Sequence, residues 1–368
     1  MARHGRIRAD VGRGSTGPEL VWERIHMDRF GSAKRVLALD IGGTKLAAGV
    51  VGCDGTVQSF VRTATDVHRG PEAIMRSLLE LADRAMISAS VSPEDIASAG
   101  VSCGGPLDAA TGVVYGPPPN LPGWDHVPVV SLVESAFGRP TTIANDASAA
   151  ALAESRFGGW NARSLAYVTI STGVGGGLVV DGELFEGAAG NGGEPGHMPV
   201  DWRGRRCTCG ARGCVEAYLS GSSIAARARE AVLSSSRGPD RPASRSVLAS
   251  IDPARLTAAD VTAAVGSGDE LAIGIWNETV AIAGVWLTGL VNVWEPELLV
   301  IGGGVTNAGE EMFLDPIRAA VLGAAMPAVA EGLRVEFSRF GDRSGLMGAA
   351  AIALLGEPTP STRQDECA

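Results

Sequence analysis

The chain has 368 residues, a formal net charge of −10 at pH 7, and 45% hydrophobic against 20% charged residues. A chain of this length can form two domains that share a cleft, and its apolar content is enough for a large core. The negative charge argues against nucleic acid as a partner, because phosphate backbones are bound by basic surfaces. We therefore expect a soluble globular protein that binds no nucleic acid.

The N-terminal segment and the scattered cysteines indicate where the protein works. Residues 1–35 are basic and lack sustained periodicity, so they predict a disordered or loosely attached tail, and Met27 is an alternative start. The tail has no apolar core of a secretory signal, and no stretch reaches the roughly 18 apolar residues of a membrane span. Cys53, Cys103 and Cys367 are too far apart to form a disulfide framework. These features predict a cytoplasmic protein without a membrane partner.

Apolar runs, turn residues and helical periodicity define the elements of the first half. Residues 36–45 and 46–51 are two strands separated by a glycine turn, and an Asp-Gly turn follows them. Apolar side chains at helical spacing predict an amphipathic helix after Pro71. This helix spans residues 71–88. The further elements of this half are strands at 56–62, 96–103 and 141–144.

The second half repeats the order of the first. Strands separated by a glycine turn occupy residues 165–180, as they do residues 37–51. The repetition predicts an α/β protein with two related domains facing one another. Residues 234–257 are rich in Ser, Arg and Pro, and predict a mobile surface insertion. The other elements of this half are helices at 147–157, after 221, at 269–294 and at 345–355, and strands at 298–301 and 333–337.

Glycine turns follow the first strand of each half. Asp40 ends a strand and precedes Gly42, Gly43 and Thr44, so backbone amides and a hydroxyl are free to hold phosphate oxygens, while the carboxylate can hold Mg²⁺. The turn at Thr172 and Gly173, and a third at Gly303 and Gly304, have similar chemistry. The alternative for either hairpin alone is an ordinary turn. Taken together, the turns predict a nucleotide bound between the domains, and no P-loop or dinucleotide motif is present.

Asp146 stands between a predicted strand and a predicted helix, beside Asn145. An aspartate at this point is a common helix N-cap. The functional interpretation is a general base that takes the proton of an attacking hydroxyl during phosphoryl transfer. Asn145, and Asn120 in a proline-rich loop, carry amides that can bind hydroxyls.

A cluster of thiols and one imidazole lies in a segment with little apolar content. His197, Cys207, Cys209 and Cys214 have the types and number of a closed tetrahedral zinc site, which would hold shape without doing chemistry. Three free thiols are the alternative. Glu194 and Glu216 flank the ligands, and their carboxylates either bind neighbouring hydroxyls or are ordinary surface side chains.

The sequence resembles the ROK family of bacterial sugar kinases and related repressors, within the actin-like hexokinase superfamily. The resemblance covers residues 36–357. The segments that carry it are DIGGTK at 40–45, NLPGW at 120–124, NDASAAALAE at 145–154, STGVGGG at 171–177, GEPGH at 193–197 and CTCGARGCVEAYLSG at 207–221. It implies two actin-like, ribonuclease H-like α/β domains with a cleft between them and a zinc knuckle. The implied ranges are 36–144 plus 345–357 for the small domain and 145–344 for the large one.

The resemblance also implies the roles of individual residues. Asp146 would be the catalytic base, and His197 would both bind zinc and approach the sugar. Cys103, Ser171 and Pro195 depart from the usual pattern, and Cys103 leaves the acceptor sugar open. The implied sugar-binding residues are Gly105, Asn120, Asn145, Asp146, Glu194, His197 and Glu216, and the implied nucleotide-binding residues are Asp40, Gly42, Gly43, Thr44, Lys45, Thr172, Gly173, Gly303 and Gly304.

These observations predict a kinase dependent on ATP and Mg²⁺, with a structural Zn²⁺, that phosphorylates the 6-hydroxyl of a hexose, with glucose as the first choice. Within the same class, the acceptor could instead be an amino sugar, such as kanosamine or an N-acetylhexosamine, or a C7-cyclitol. A non-catalytic sugar sensor or repressor is the alternative from a different class. The resemblance further implies a homodimer or homotetramer.

Overall fold

The computed structural model describes residues 34–116, 121–188, 190–235 and 245–355. The predicted tail up to residue 33, Met27, Asn120 and Cys367 lie outside the described residues. Lys34 and Arg35, which the sequence analysis assigned to the tail, are described, and the first strand begins at Arg35.

The first sheet has strand order β3-β2-β1-β4-β7. Strands β1 and β2 form an antiparallel hairpin, β3 extends it, and β4 and β7 pair in parallel with β1 and with each other. The hydrophobic faces of these strands are buried, as the apolar runs predict. The bounds are β1 Arg35–Ile41, β2 Lys45–Gly52, β3 Val57–Ala64, β4 Ile96–Cys103 and β7 Thr141–Asn145; a separate two-stranded sheet pairs β5 Leu107–Asp108 with β6 Val113–Val114.

The second sheet repeats this topology, with strand order β10-β9-β8-β11-β12. An antiparallel hairpin again leads into parallel strands added on one side. The strands are β8 Ser164–Ile170, β9 Val174–Val180, β10 Glu183–Leu184, β11 Leu298–Gly302 and β12 Arg334–Phe337. Two mixed sheets of matching topology confirm the predicted α/β fold with an internal repeat.

Ten α-helices occur among the described residues. Strong helix formers and apolar periodicity account for the longer ones. Three helices of nine or ten residues, α2, α6 and α8, were not predicted from the sequence. In chain order the helices are α1 Gly70–Ala89, α2 Val129–Phe137, α3 Asp146–Phe157, α4 Glu216–Leu219, α5 Gly221–Ser235, α6 Ala258–Gly266, α7 Glu270–Trp294, α8 Asp315–Ala324, α9 Pro327–Ala330 and α10 Ser344–Ala353.

Helices α3 and α10 pack against each other in a core cluster that also includes residues of both sheets. Their contact surface consists of small side chains, and a Cβ added to Gly348 would lie 2.8 Å from Ala149. Small residues allow the two helix backbones to approach closely, as the low aromatic content of the chain suggests. The start of α3, where Asp146 lies, is thereby fixed between the two halves.

Helix α7 corrects one expectation. By length and composition it is apolar enough to cross a membrane, whereas the sequence predicted no stretch long and apolar enough for a membrane span. One face of α7 is buried among the side chains of the second half, including Ile275, Trp276 and Leu287. A helix with such a buried face is typical of a protein core.

The segment predicted as a mobile insertion is partly packed. Leu248 and Leu256 are buried in the core of the second half. The backbone N–H of Val247 donates a 2.7 Å hydrogen bond to Asp269, which also caps α7. Residues 245–257 are therefore held in place, whereas 236–244 lie outside the described part of the chain.

Candidate active site

Asp146 is the first residue of α3, directly after β7. Asn145 is the N-cap: its Oδ1 accepts hydrogen bonds from the backbone N–H groups of Ala147, at 2.9 Å, and Ser148, at 3.4 Å. The alternative in which Asp146 caps the helix is therefore wrong. One carboxylate oxygen of Asp146 accepts from Ala147 N–H at 2.8 Å, and the side chain lies deep among protein atoms although solvent still reaches it.

Asp40 ends β1 close enough to Asp146 for the two carboxylates to interact. Burial, together with the negative charge of Asp146, raises the pKa of Asp40 to about 7. Ser102, paired with Asp40 across β4, and Lys45 oppose this rise, although buried Ser102 Oγ makes no hydrogen bond of normal geometry in the described structure. Burial in the cleft also raises the pKa of Asp146, against its backbone hydrogen bond. Two carboxyl groups that resist ionisation together form a place where a cation would be favoured.

The first glycine turn is closed by its own backbone. Gly42 N–H donates to Lys45 O at 3.1 Å, and Thr65 Oγ1 donates to Gly42 O at 2.7 Å. Thr44 is exposed at the tip of the turn. The ammonium of Lys45 donates to the backbone oxygen of Asp342 at 3.4 Å, so this side chain lies towards the segment that leads into α10.

The second turn borders a cavity of about 550 Å³. Ser171 N–H donates to Gly173 O at 2.8 Å, and Gly221 N–H donates to Ser171 O at 2.7 Å, which ties the turn to the start of α5. The cavity includes the predicted residues Thr172 and Gly304, whereas the residues of the first turn are not part of its wall. Its other walls are formed by residues that include Ser222, Leu256, Thr257, Trp276 and Asn307.

Several predicted sugar-binding residues surround the start of α3. A Cβ placed on Gly105 would lie 3.5 Å from Asn145 Nδ2. Glu194 also faces this region: burial raises its pKa, His197 opposes the rise, and Asp146 and Glu216 add to it. Gly105, Asn145, Asp146, Glu194, His197 and Glu216 are thus grouped at one site, and Asn120 lies outside the described residues.

The four predicted zinc ligands meet. The ligand atoms of His197, Cys207, Cys209 and Cys214 all lie within 4.8 Å of one another. Cys207 Sγ is 3.7 Å from His197 Nδ1, and Cys209 Sγ is 3.7 Å from Cys214 Sγ. Isolated bridges between Pro199 and Cys214 and between Arg206 and Arg212 hold the loop that carries them.

Glu216 connects this cluster to the second glycine turn. Its Oε2 accepts a 3.0 Å hydrogen bond from Val174 N–H, and a Cβ on Gly173 would lie 2.8 Å from the same oxygen. Its Oε1 accepts from Thr208 Oγ1 at 3.2 Å and from Cys207 Sγ at 3.6 Å. The carboxylate predicted to contact sugar hydroxyls therefore also holds the turn predicted to contact phosphate.

Three residues at the site were not predicted from the sequence. Ser102 faces Asp40 from β4, and parallel pairing of the first and fourth predicted strands would have indicated it. Thr208 lies between two predicted zinc ligands, and the pattern of those ligands does not indicate a role for its hydroxyl. Asn191 lies 4.0 Å from the Cβ position of Gly105, and no local motif identifies it. Cys103 is fully buried beside the two aspartates, and burial, with the charges of Asp146 and Asp40, raises its pKa well above the ordinary value.

Comparison with known proteins gives a consistent family. The profile described as "ROK family" matches residues 36–355. The glucokinase of Thermotoga maritima is 32% identical over 325 residues, which cover 86% of this chain and 96% of that protein. The N-acetylmannosamine kinase of Citrobacter koseri is 34% identical over 317 residues, 86% of this chain and 98% of its own. A ROK family glucokinase from Streptomyces griseus, whose crystal structure is a complex with glucose and AMPPNP, is 30% identical to this chain. The two structures align with a TM-score of 0.71, and the match covers 87% of this chain and 99% of that chain.

Proposed function

The chain belongs to the ROK family and is a glucokinase-like sugar kinase, and from that premise we propose that it transfers the γ-phosphoryl group of ATP to the 6-hydroxyl of glucose. The transfer would take place in the cleft between a small domain, 36–144 plus 345–357, and a large domain, 145–344. Closure of the two domains would exclude water from the reacting groups.

The position of Asp146 carries the proposal. Because Asn145 caps the helix and Ala147 N–H binds only Oδ1 of Asp146, the other oxygen of this carboxylate can accept a proton from a sugar hydroxyl. Its raised pKa makes it a better base than an exposed aspartate. Gly105, Asn145, Glu194, His197 and Glu216 would orient the acceptor, and Asn120 would join them.

ATP would span the two glycine turns. The cavity of about 550 Å³ beside Thr172 and Gly304 has the size and largely apolar wall of a nucleoside pocket. The backbone amides of the two turns would hold the phosphates, with Thr44, Lys45, Thr172 and Gly173. The remaining nucleotide contacts are proposed for Gly42, Gly43 and Gly303.

Mg²⁺ fits beside Asp40. Carboxylate oxygen is the ligand type that Mg²⁺ prefers, and a cation would offset the burial and the negative charge of Asp146 that together raise the pKa of Asp40. When bound, the ion would neutralise charge on the transferring phosphoryl group. Asp40 would hold the ion, and Asp146 would remain free to take the proton.

A structural Zn²⁺ fits the Cys3His cluster. Two thiolates on a tetrahedral zinc, each about 2.3 Å from the metal, lie about 3.8 Å apart. The Cys209–Cys214 sulfur separation of 3.7 Å agrees with that spacing. All four positions would be filled by protein, so the ion would orient Glu194, His197 and Glu216 without entering the reaction. We expect Cys209→Ser to lose about one zinc per chain by metal analysis and to weaken sugar binding; a metal-free variant with unchanged kinetics would contradict this role.

The acceptor is tested by ADP release over a panel of sugars. We expect the highest kcat/KM for glucose among glucose, mannose, fructose, kanosamine, N-acetylmannosamine and valiolone. The similarity to an N-acetylmannosamine kinase at 34% identity favours an N-acetylhexosamine as the second candidate. A higher kcat/KM for that sugar would replace glucose as the acceptor, and binding of sugar without ADP release would favour a sensor.

Self-association into a homodimer or homotetramer remains a proposal. Val285 and Val293 on α7, and Met326 after α8, are exposed apolar side chains on the second half. Light scattering of the purified chain would measure its mass, and a monomer at micromolar concentration would contradict the expectation.

A further inference from the structure

Two side chains from opposite halves of the molecule meet beside the acceptor residues. Tyr115 follows β6, whose Val114 is buried in the core of the first half. Asn191 belongs to the loop between β10 and Glu194, where a Cβ on Gly193 would lie 3.2 Å from the backbone of Gly176 in β9. Asn191 Nδ2 donates a 3.3 Å hydrogen bond to Tyr115 Oη. We call this pair the Tyr115–Asn191 bridge.

Backbone contacts hold each partner in place. Tyr115 N–H donates to Pro106 O at 3.2 Å, which ties it to the turn that contains Gly105. Gly192 N–H donates to Glu186 O at 2.7 Å, which ties the residue after Asn191 to Glu186. Because each side chain is positioned by its own half, the bridge forms only when the two halves are close together.

The bridge lies beside Gly105, one of the predicted acceptor residues. The Cβ position of Gly105 lies 3.5 Å from Asn145 Nδ2 and 4.0 Å from Asn191 Oδ1. Asn145 adjoins Asp146, so Asn145 and Gly105 separate the base from Asn191. A hexose that presents its 6-hydroxyl to Asp146 would direct the C2 and C3 side of its ring towards Asn191.

We propose that the Tyr115–Asn191 bridge closes the acceptor pocket behind the sugar and sets the range of acceptors; this rests on the proposed function. Asn191 and Tyr115 are positioning residues that determine specificity. A ring with hydroxyl groups on its remote side fits inside the closed bridge, and Asn191 can hydrogen-bond to them. A larger substituent there, such as an acetamido group, has to separate the pair and gives up that hydrogen bond.

Sugar binding and closure are therefore linked. A sugar that fits under the bridge stabilises the closed arrangement and is itself held more tightly by it. ATP binds on the other side of Asp146, near Thr172, and makes no demand on the bridge. Loss of the bridge should thus weaken the binding of an unsubstituted hexose and leave the binding of ATP unchanged.

A double-mutant cycle on the full-length zinc-loaded protein tests the inference. Calorimetry would measure glucose binding to the wild type, Tyr115→Phe, Asn191→Ala and the double variant. We expect the Kd for glucose to rise about 3- to 10-fold in each single variant, the range for one lost hydrogen bond. The double variant should match Asn191→Ala, because removal of Asn191 already breaks the contact that Tyr115→Phe removes. The KM for ATP should stay within about twofold, and the ratio of kcat/KM for glucose to that for N-acetylmannosamine should fall at least about threefold.

Asn277→Ala is the matched control, since Asn277 is an exposed amide on α7 outside the site. It should leave every one of these quantities unchanged. Unaltered glucose binding in the single variants, fully additive effects, or an equal loss for all acceptors would overturn the inference. A wild type that phosphorylates no hexose would overturn the proposed function and this inference with it, whereas an active wild type with unaffected variants overturns the inference alone.

Discussion

The hairpins β1–β2 and β8–β9 have the same topology but differ in the charge that they carry. Both continue from an apolar strand through a short turn into an antiparallel partner. Asp40 precedes Ile41 in the first, and Thr169 precedes Ile170 at the matching point of the second. Only the first hairpin therefore carries a buried negative charge, and the pKa of Asp40, raised by burial and by Asp146, reflects what that charge costs.

The two turns also differ in how they are supported. The first turn is closed by hydrogen bonds within β1, β2 and the end of β3, as at Gly42 and Thr65. The second has its own backbone bond, from Ser171 N–H to Gly173 O, and is also held from outside, by Glu216 on Val174 N–H and by Gly221 N–H on Ser171 O. The two turns of a repeated scaffold thus differ: the first carries the carboxylate of Asp40, for which we propose a cation, and the second is connected to the Cys/His cluster through Glu216.

The largest expected effect belongs to Asp146, which lies where the two halves meet. Asp146→Asn keeps the shape of the side chain but removes the proton acceptor, so kcat should fall about 10²- to 10⁴-fold. The Kd for glucose, measured by calorimetry, should change little. Retention of more than about a tenth of the wild-type kcat would show that another group takes the proton.

Asp40→Asn tests whether the first turn works through its charge. Loss of a metal-binding carboxylate should lower kcat roughly 10- to 100-fold and raise the Mg²⁺ concentration needed for half-maximal rate.

Removing the buried charge of Asp40 should also stabilise the protein. The raised folded-state pKa of about 7 means that the folded chain holds a proton that the unfolded chain loses above its ordinary value of 3.8. Wild-type stability therefore falls as pH rises from about 4 to about 7.

Scanning calorimetry without Mg²⁺ or nucleotide would measure that gain. At pH 8 we expect Asp40→Asn to melt a few degrees above the wild type, since about 1 kcal/mol corresponds to roughly 2–4 °C in a protein of this size. The difference should shrink towards pH 5. Asp54→Asn is the control, because Asp54 is an exposed carboxylate whose pKa is lowered by hydrogen bonds from Thr56; it should be destabilising instead. A variant of Asp40 that melts lower at pH 8 would contradict the assignment.

The pH dependence of catalysis sharpens the same contrast. Burial raises the pKa of both Asp40 and Asp146. If the proposed reaction needs both deprotonated, kcat/KM should fall by about tenfold per pH unit below the higher pKa and by up to about a hundredfold per unit below both. If Mg²⁺ binds at Asp40 as proposed, it competes with the proton there. The apparent pKa of the acid limb should therefore move down as the Mg²⁺ concentration is raised. An apparent pKa that does not change with the Mg²⁺ concentration would show that the ion does not bind at these carboxylates.

Much of the scaffold was predictable, because it follows from local patterns. The hairpin of β1 and β2 was predicted from apolar runs and a glycine turn, and α3 from strong helix formers closed by Gly158. Helix α6 was missed because it is short, follows a segment rich in Ser, Arg and Pro, and is fixed by its Thr257 cap. Leu256 was assigned to a surface insertion, yet it lines the cavity beside Thr172 and Gly304. Its burial depends on α5 and α7, which no local window contains.

The site was predictable where chemistry and spacing coincide. His197 and the three cysteines meet as expected, because short loops between them limit how far they can separate. The division of labour between Asn145 and Asp146 was not predictable, since both can cap a helix and only the backbone geometry selects one. Contacts across the halves, such as Asn191 with Tyr115, depend on packing between segments 76 residues apart in the chain.

The smallest effect concerns the outside support of the second turn. Thr208→Val removes the hydroxyl that donates to Glu216 Oε1 and keeps the side-chain volume. Glu216 would still accept from Val174 N–H but would be less firmly oriented, so we expect the KM for ATP to rise about 2- to 5-fold, within the range for one partly exposed hydrogen bond. The zinc content should stay at its wild-type level, because Thr208 is not a ligand. Thr56→Val, which removes a hydroxyl bonded to Asp54 on the first half, is the matched control and should leave the KM for ATP unchanged. If both variants behave alike, the Cys/His cluster does not support the second turn through Glu216, and the two turns would be equivalent in how they are held.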